Sequence, residues 1–302
     1  MKAHLITVLA IIFWFSSAAT SLAQQSFMVS GNPYAPPVVW EEQGKLTGVA
    51  AELVDTIFTE LSIPYTTRLV ESWQKVQTEA RAGNIDLIVS AYRNDERAQY
   101  LNFSVPYLAQ PTVVVVEKGK EFKLIDWNSL KGKKGVSNIG ESYGQELDRF
   151  IKDHLDVSYY QLERAIQQLN LGQADYLIID LYTALAYARL LRGEDSVTIL
   201  EPPLTLQDFH FALQKESPLN THLDDINKLL QEKVESGEVA RLFLKHYDRW
   251  KQMAARQSRY LSANAQERSA QQEAYLQEQD ELARQRILKT MTDRDGLPTA
   301  AD

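Results

Sequence analysis

The 302-residue chain contains no cysteine. Without thiols it can form no disulfide, no cysteine metal site and no covalent haem attachment. It also lacks the acceptor that a bacterial lipoprotein needs for its lipid. Histidine is scarce: His4, His154, His210, His222 and His246 are scattered, with no metal-ligand spacing. No metal site and no cofactor are expected. Positive charge is in deficit, with 32 Lys and Arg against 40 Asp and Glu, a formal net charge of −8. Nucleic acid and anionic membrane surfaces both require a basic face, so neither is expected as a partner. No G-x-S-x-G nucleophile elbow occurs. The run Gly135 to Ser142 nearly copies a P-loop, but Glu141 stands where the decisive lysine belongs and would repel phosphate.

Long apolar runs are also missing, except at the N-terminus. There MKAHLITVLAIIFWFSSAATSLAQQ places Lys2 before an apolar run from Leu5 to Phe15, with small residues ending at Ser21-Leu22-Ala23. This is the three-part pattern of a secretory signal, and its apolar core is too short to span a bilayer. Cleavage is expected after Ala23, leaving a freely soluble periplasmic protein. Lys2 is the only formal charge in residues 1–23, so the mature chain carries 31 Lys and Arg against 40 Asp and Glu, net −9.

What is present alternates between strand and helix from Phe27 to about Trp250. FMVSG is a short strand that opens into the loop NPYAPPVVW. Val49, Leu53, Ile57 and Leu61 recur every fourth residue and predict a helix, and Trp73 to Ala82 suits a second. DLIVSA, VVVV at 113–116, KKGVSNI, DYLIID and FHFALQ read as strands. GQELDRFIKDHL, LERAIQQLNLG and LYTALAYARLL read as helices, and two more are split near Gly237. The alternation predicts an α/β architecture with largely parallel sheets, and the chain length suits two lobes. RAGNIDLIVSAYR and NLGQADYLIIDLYT form an internal echo. Each carries a helix end, Gly-x-x-Asp, an apolar strand and then polar residues. Ligands in α/β folds sit beyond the carboxyl ends of strands, so the echo suggests two lobes facing one cleft.

The segment 251–302 changes character. It is rich in Gln, Ala, Arg and Glu, and Tyr275, Leu276, Leu282, Ile287 and Leu288 give only a thin, irregular apolar stripe. It is expected to be helical to about Thr290, poorly packed, and disordered over DRDGLPTAAD.

The run SAYRNDERAQYLNFSVPY, from Ser90 to Tyr107, follows a buried strand and carries Arg97. Here the chain resembles the periplasmic solute-binding proteins of family 3, receptors for polar amino acid ABC transporters. NPYAPPV resembles the family's opening loop, where Tyr34 lines the ligand, and Trp73 sits where the family places an aromatic wall. GNIDLIVSAYRNDERAQYLNFSVPY resembles its most diagnostic stretch. GESYGQEL resembles the second-lobe loop at a helix start, GQADYLIID ends at the acidic ligand position Asp180, and RLFLKHYDRW resembles the closing helix.

The resemblance implies a two-lobed periplasmic binding protein fold of type II with two hinge crossings, near Ala109–Thr112 and Leu206–Phe211. Lobe one would take 27–110 and 210–250, lobe two 111–209, and 251–302 would form the tail. It implies a ligand-binding set of Tyr34, Trp73, Ser90, Tyr92, Arg97, Glu141, Ser142, Tyr143 and Asp180, with no catalytic residue. Arg97 would clamp a carboxylate through a two-bond fork, helped by backbone N–H groups at the start of GQELDRF. Asp180 would accept from an ammonium group, and Tyr34, Trp73 and Tyr92 would sandwich the side chain. The implied function is capture of an amino-acid-like solute by a monomer, for an inner-membrane ABC permease. Two other readings on the same fold are a dehydratase of the cyclohexadienyl type, with Glu141 as the acid, and a sensory module without transport. The chain departs from the family pattern at Asn94, usually a threonine, and at Glu141, usually a small hydroxyl or Gly. Glu141 adds negative charge beside the expected carboxylate site, which counts against a standard α-amino acid and leaves a cationic, a less acidic or a non-amino-acid ligand open.

Overall fold

A computed structural model of the chain describes residues 26–188, 197–261 and 270–292. The expected signal segment and the chain end after 292 lie outside the described residues. Strand β1 (Phe27–Ser30) is followed by a small antiparallel sheet of β2 (Tyr34–Ala35), β3 (Val39–Glu42) and β4 (Lys45–Thr47). Helix α1 (Val49–Glu60) then buries Val49, Leu53 and Ile57, the residues whose spacing predicts it. Gly48 sets up that helix. Its φ is +125°, and a Cβ there would strike the Val38 carbonyl, so no other residue fits.

Next come β5 (Tyr65–Thr67), α2 (Trp73–Arg81), β6 (Leu87–Ala91), β7 (Leu101–Phe103) and β8 (Leu108–Glu117). Ser72 caps α2 by accepting the Lys75 N–H at 3.2 Å. The second lobe contains β9 (Lys134–Asn138), α3 (Gln145–His154), β10 (Asp156–Tyr160), α4 (Leu162–Asn170), β11 (Tyr176–Asp180) and α5 (Leu181–Ala188). The chain returns through β12 (Val197–Gln214) to α6 (Leu223–Glu235), α7 (Glu238–Leu261) and α8 (Ala270–Thr292).

The strands join in the order β10-β9-β11-β8-β12-β6-β1-β5, with β7 also on β12. The two flanks are parallel: β1 pairs with β5 and β6, and β9 with β10 and β11. The centre is antiparallel, which the expectation of largely parallel sheets missed. Strand β8 leaves the first lobe and β12 comes back beside it, pairing Phe209 with Leu108 and Val197 with Glu117 at the two ends. A chain that crosses and returns between lobes must place the two crossings in opposite directions.

The internal echo has a physical basis. Asp86 precedes β6 and accepts the N–H of Met28 at the start of β1 at 2.7 Å. Asp175 precedes β11 and accepts the N–H of Lys134 at the start of β9 at 2.7 Å. In each lobe the acid ties two parallel neighbours together at their entry ends. Their carboxyl ends are thereby aligned toward the cleft.

One core gathers Val29, Leu53, Ile57, Phe211 and Phe243 under α1, α6 and α7, and another gathers Val114, Leu147, Ile151, Tyr176 and Ile178 around α3. Each such side chain contributes roughly 1.5–3 kcal/mol through burial. The far end of α7 reaches the second lobe, where the Trp250 indole donates to the Ala186 carbonyl at 3.1 Å.

The segment after Trp250 is better packed than its thin apolar stripe suggests. Helix α8 lies against α7 and β8, with Ile287 fully buried and Ala283 nearly so. Lys251 pairs with Asp280, and Arg284 with Asp248. Two buried residues one turn apart suffice once ion pairs fix the helix against α7.

Candidate functional site

The carboxyl ends of β1, β6, β9 and β11 face one another across the cleft, and polar contacts cross it. Gln77 of α2 donates to the Gly140 carbonyl at 3.2 Å. Asn32, just after β1, donates to Glu141 Oε1 at 3.3 Å, and Asn94 donates to Ser142 Oγ at 3.1 Å. Asp95 and Gln145 exchange two bonds, of 3.2 and 2.5 Å.

Asp180 is the last residue of β11 and is 8% exposed, with no hydrogen-bond partner at Oδ1. It does not cap α5. Near it the Tyr92 hydroxyl and the Gln110 and Thr112 side-chain oxygens are also buried without a partner at full hydrogen-bond geometry, although Tyr92 and Gln110 lie near enough to act on the Asp180 carboxyl. Such atoms are costly to bury and rare in folded proteins. Burial pushes the Asp180 carboxyl up to about 8, and the charge of Glu141 adds to the shift. Tyr92, Gln110 and Arg97 oppose it without cancelling it. Burial likewise raises Glu141, against the pull of Arg97, Asn138 and Asn32.

Arg97 sits in a short 3-10 turn, Arg97–Gln99, and is 4% exposed. Its Nη1 donates to the Tyr92 carbonyl at 3.0 Å and its Nε to Gln77 Oε1 at 3.2 Å. Its guanidinium lies 5.2 Å from the centre of the Trp73 ring. Two arms of the expected fork are therefore bonded inside the first lobe. Tyr92 stacks on Phe209 at 4.4 Å, which fixes its hydroxyl near Asp180.

The loop from Gly140 to Gly144 brings in the second lobe. Glu141 Oε1 also accepts from Asn138 at 3.1 Å. Ser142 donates to Asp148 at 2.5 Å, and the Tyr143 N–H donates to the same carboxylate at 2.7 Å. The start of α3, expected to hold a ligand's carboxylate, thus holds one supplied by the chain. The Tyr143 ring is turned into the second core, where its hydroxyl bonds Ser137 and the Ile178 carbonyl. Ser90 is buried within β6 and lines neither of the two cavities at the cleft.

Those cavities flank the Asn32–Glu141 contact. One, of about 320 Å³, is walled by Tyr34, Trp73 and Tyr187, and its only charged lining residues are Glu71 and Glu163. The other, of about 410 Å³, reaches Arg97, Glu141 and Asp148. The structure thus brings Tyr34 and Trp73 to one cavity, Arg97, Glu141 and Ser142 to the other, and Tyr92 and Asp180 to the buried cluster between the lobes. Sequence reasoning missed Gln110, Thr112, Asn32, Asn138 and Asp148. Gln110 and Thr112 did leave a signal, as two polar residues beside Pro111 in an otherwise apolar strand. No group of three or more metal-ligating side chains occurs among the described residues, and none of the helices described is long and apolar enough to cross a membrane.

Similar proteins fit this geometry. The probable amino-acid-binding protein YxeM of Bacillus subtilis is 23% identical over 218 residues, 70% of this chain and 80% of that one. The L-cystine-binding protein TcyJ of Escherichia coli K12 is 24% identical over 210 residues, 68% of this chain and 77% of that one. The crystal structure of AbpA from Streptococcus pneumoniae, an amino acid ABC transporter substrate-binding protein bound to L-arginine, superposes with a TM-score of 0.64. It is 22% identical, over 76% of this chain and 97% of that one, and shares the two-lobed type II fold. All three are described as binding proteins. The profile of the bacterial extracellular solute-binding proteins, family 3, matches residues 27–249, and the chain belongs to that family.

Proposed function

We propose that the protein captures a small polar, amine-bearing solute, amino-acid-like in size, in the periplasm. It then presents that solute to an inner-membrane ABC permease. Asp180 carries this reading. A carboxyl group buried between two lobes without a partner at Oδ1 is costly unless a cation completes it. The aromatic walls at Tyr34 and Trp73 suit the body of such a solute. Residues 27–110 and 210–250 form the first lobe and 111–209 the second, and closure about β8 and β12 traps the solute. The relatives' names support the solute's size class, since they are described as binding amino acids or cystine. Mass spectrometry of small molecules released on denaturing freshly purified protein tests the proposal. One stoichiometric amine that rebinds in calorimetry supports it. Protein that releases nothing and binds no amine or amino acid contradicts it.

A further inference from the structure

We infer that the solute is a small organic cation, an amine or guanidine, that carries no free carboxylate. This rests on the capture role proposed above and narrows it. The polar atoms left unpaired in the buried cluster are two acceptors and two hydroxyls, of Tyr92 and Thr112, that can accept as well as donate. Asp180 Oδ1 and Gln110 Oε1 are buried without partners, and Glu141 takes both of its hydrogen bonds at Oε1 alone. Several donors that could hold an anion are already turned to partners within the chain. The Tyr143 N–H and Ser142 hydroxyl go to Asp148, the Asn32 and Asn138 amides to Glu141, and Arg97 Nε and Nη1 to Gln77 and the Tyr92 carbonyl.

Charge gives the same answer. Glu141, Asp148 and Asp180 all draw on the single guanidinium of Arg97. A ligand carboxylate entering there would meet three carboxyl groups that share the Arg97 guanidinium. The neighbouring cavity is lined by two acids, three aromatic rings and no base, an environment that attracts cations through both charge and ring faces.

The test uses two matched pairs that differ by one carboxylate: agmatine against L-arginine, and cadaverine against L-lysine. Both are titrated calorimetrically into the mature protein after any bound solute has been removed. The decarboxylated member of at least one pair is expected to bind at least tenfold more tightly than its amino acid. Glu141→Thr is expected to shrink that ratio by improving the amino acid, with melting curves showing that the variant is folded. An amino acid that binds as tightly as its decarboxylated partner overturns the inference and leaves the capture role standing. If neither pair binds, the solute released from fresh protein decides. A carboxylate-free cation upholds the inference, and a carboxylate-bearing solute overturns it alone. Release of nothing, with no binding, removes both the inference and the capture role.

Discussion

Asp148 Oδ1 accepts the backbone N–H of Tyr143 at 2.7 Å while its Oδ2 takes the Ser142 hydroxyl at 2.5 Å. One acid, a turn into α3, closes the loop that carries Glu141. Replacing it with alanine leaves two donors unpaired in a half-buried place. Asp148→Ala is expected to lower stability by about 1–2 kcal/mol, read as a fall of a few degrees in melting temperature. An unchanged melt would show that the loop is held by other contacts.

Arg97 is expected from sequence to clamp a ligand carboxylate. It is buried, with its side chain bonded to the Tyr92 carbonyl and to Gln77. A lysine keeps the charge but cannot make both bonds and stack on Trp73. Arg97→Lys is expected to cost about 2 kcal/mol of folding stability as well as binding. Denaturant titration checks this, and a parent-like midpoint would return Arg97 to a purely ligand-facing role.

The buried acids give the unliganded protein an unusual pH response. Burial pushes the Asp180 carboxyl from its ordinary 3.8 up to about 8. Between those values the folded chain holds more proton than the unfolded chain, so this group's stability contribution falls as pH rises. Glu141 and Asp148 shift in the same direction, and Arg97 is the cation that opposes them. The melting temperature of solute-free protein is expected to decline from about pH 5 to about pH 8, with a shallower decline in Asp180→Asn. Solute binding, which favours the ionised carboxylates, should tighten over the same range. Parent and variant melts with equal slopes would show that Asp180 does not titrate there.

Helix α8 lies beyond the family match yet buries Ile287 completely. Removing residues 262–302 exposes the surface it covers on α7 and β8. The loss is expected to be about 2–3 kcal/mol from Ile287 and its neighbours, with the truncated protein still folded. A truncation that melts with the full chain would make α8 a passive appendage.

Much of the fold is legible because its signals are local. Val49, Leu53 and Ile57 mark α1, and the paired Gly-x-x-Asp turns mark the entries to β6 and β11. The first part of β12 is not legible. It contains Pro202 and Pro203, which cannot donate to a ladder, and the pairing with β8 shifts register between Leu200 and Thr205 to pass them. The exposed edge strands β5 and β10 lack the apolar alternation that would announce them. In the site, Asp180 stands out as a charge at the end of an apolar strand, and Arg97 lies in the polar run that follows another. Asp148 does not, because its role depends on α3 folding back onto the loop before it. The packing of α8 depends on a surface assembled from residues far away in sequence, and no local pattern records that.

The most direct test is calorimetry of the released solute with the parent protein and with Asp180→Asn, which is nearly the same shape and lacks the charge. At neutral pH the variant is expected to bind at least tenfold more weakly, a loss of about 1.4 kcal/mol or more, with its fold intact. A variant that binds the solute as tightly as the parent would contradict the assignment of the cation to Asp180.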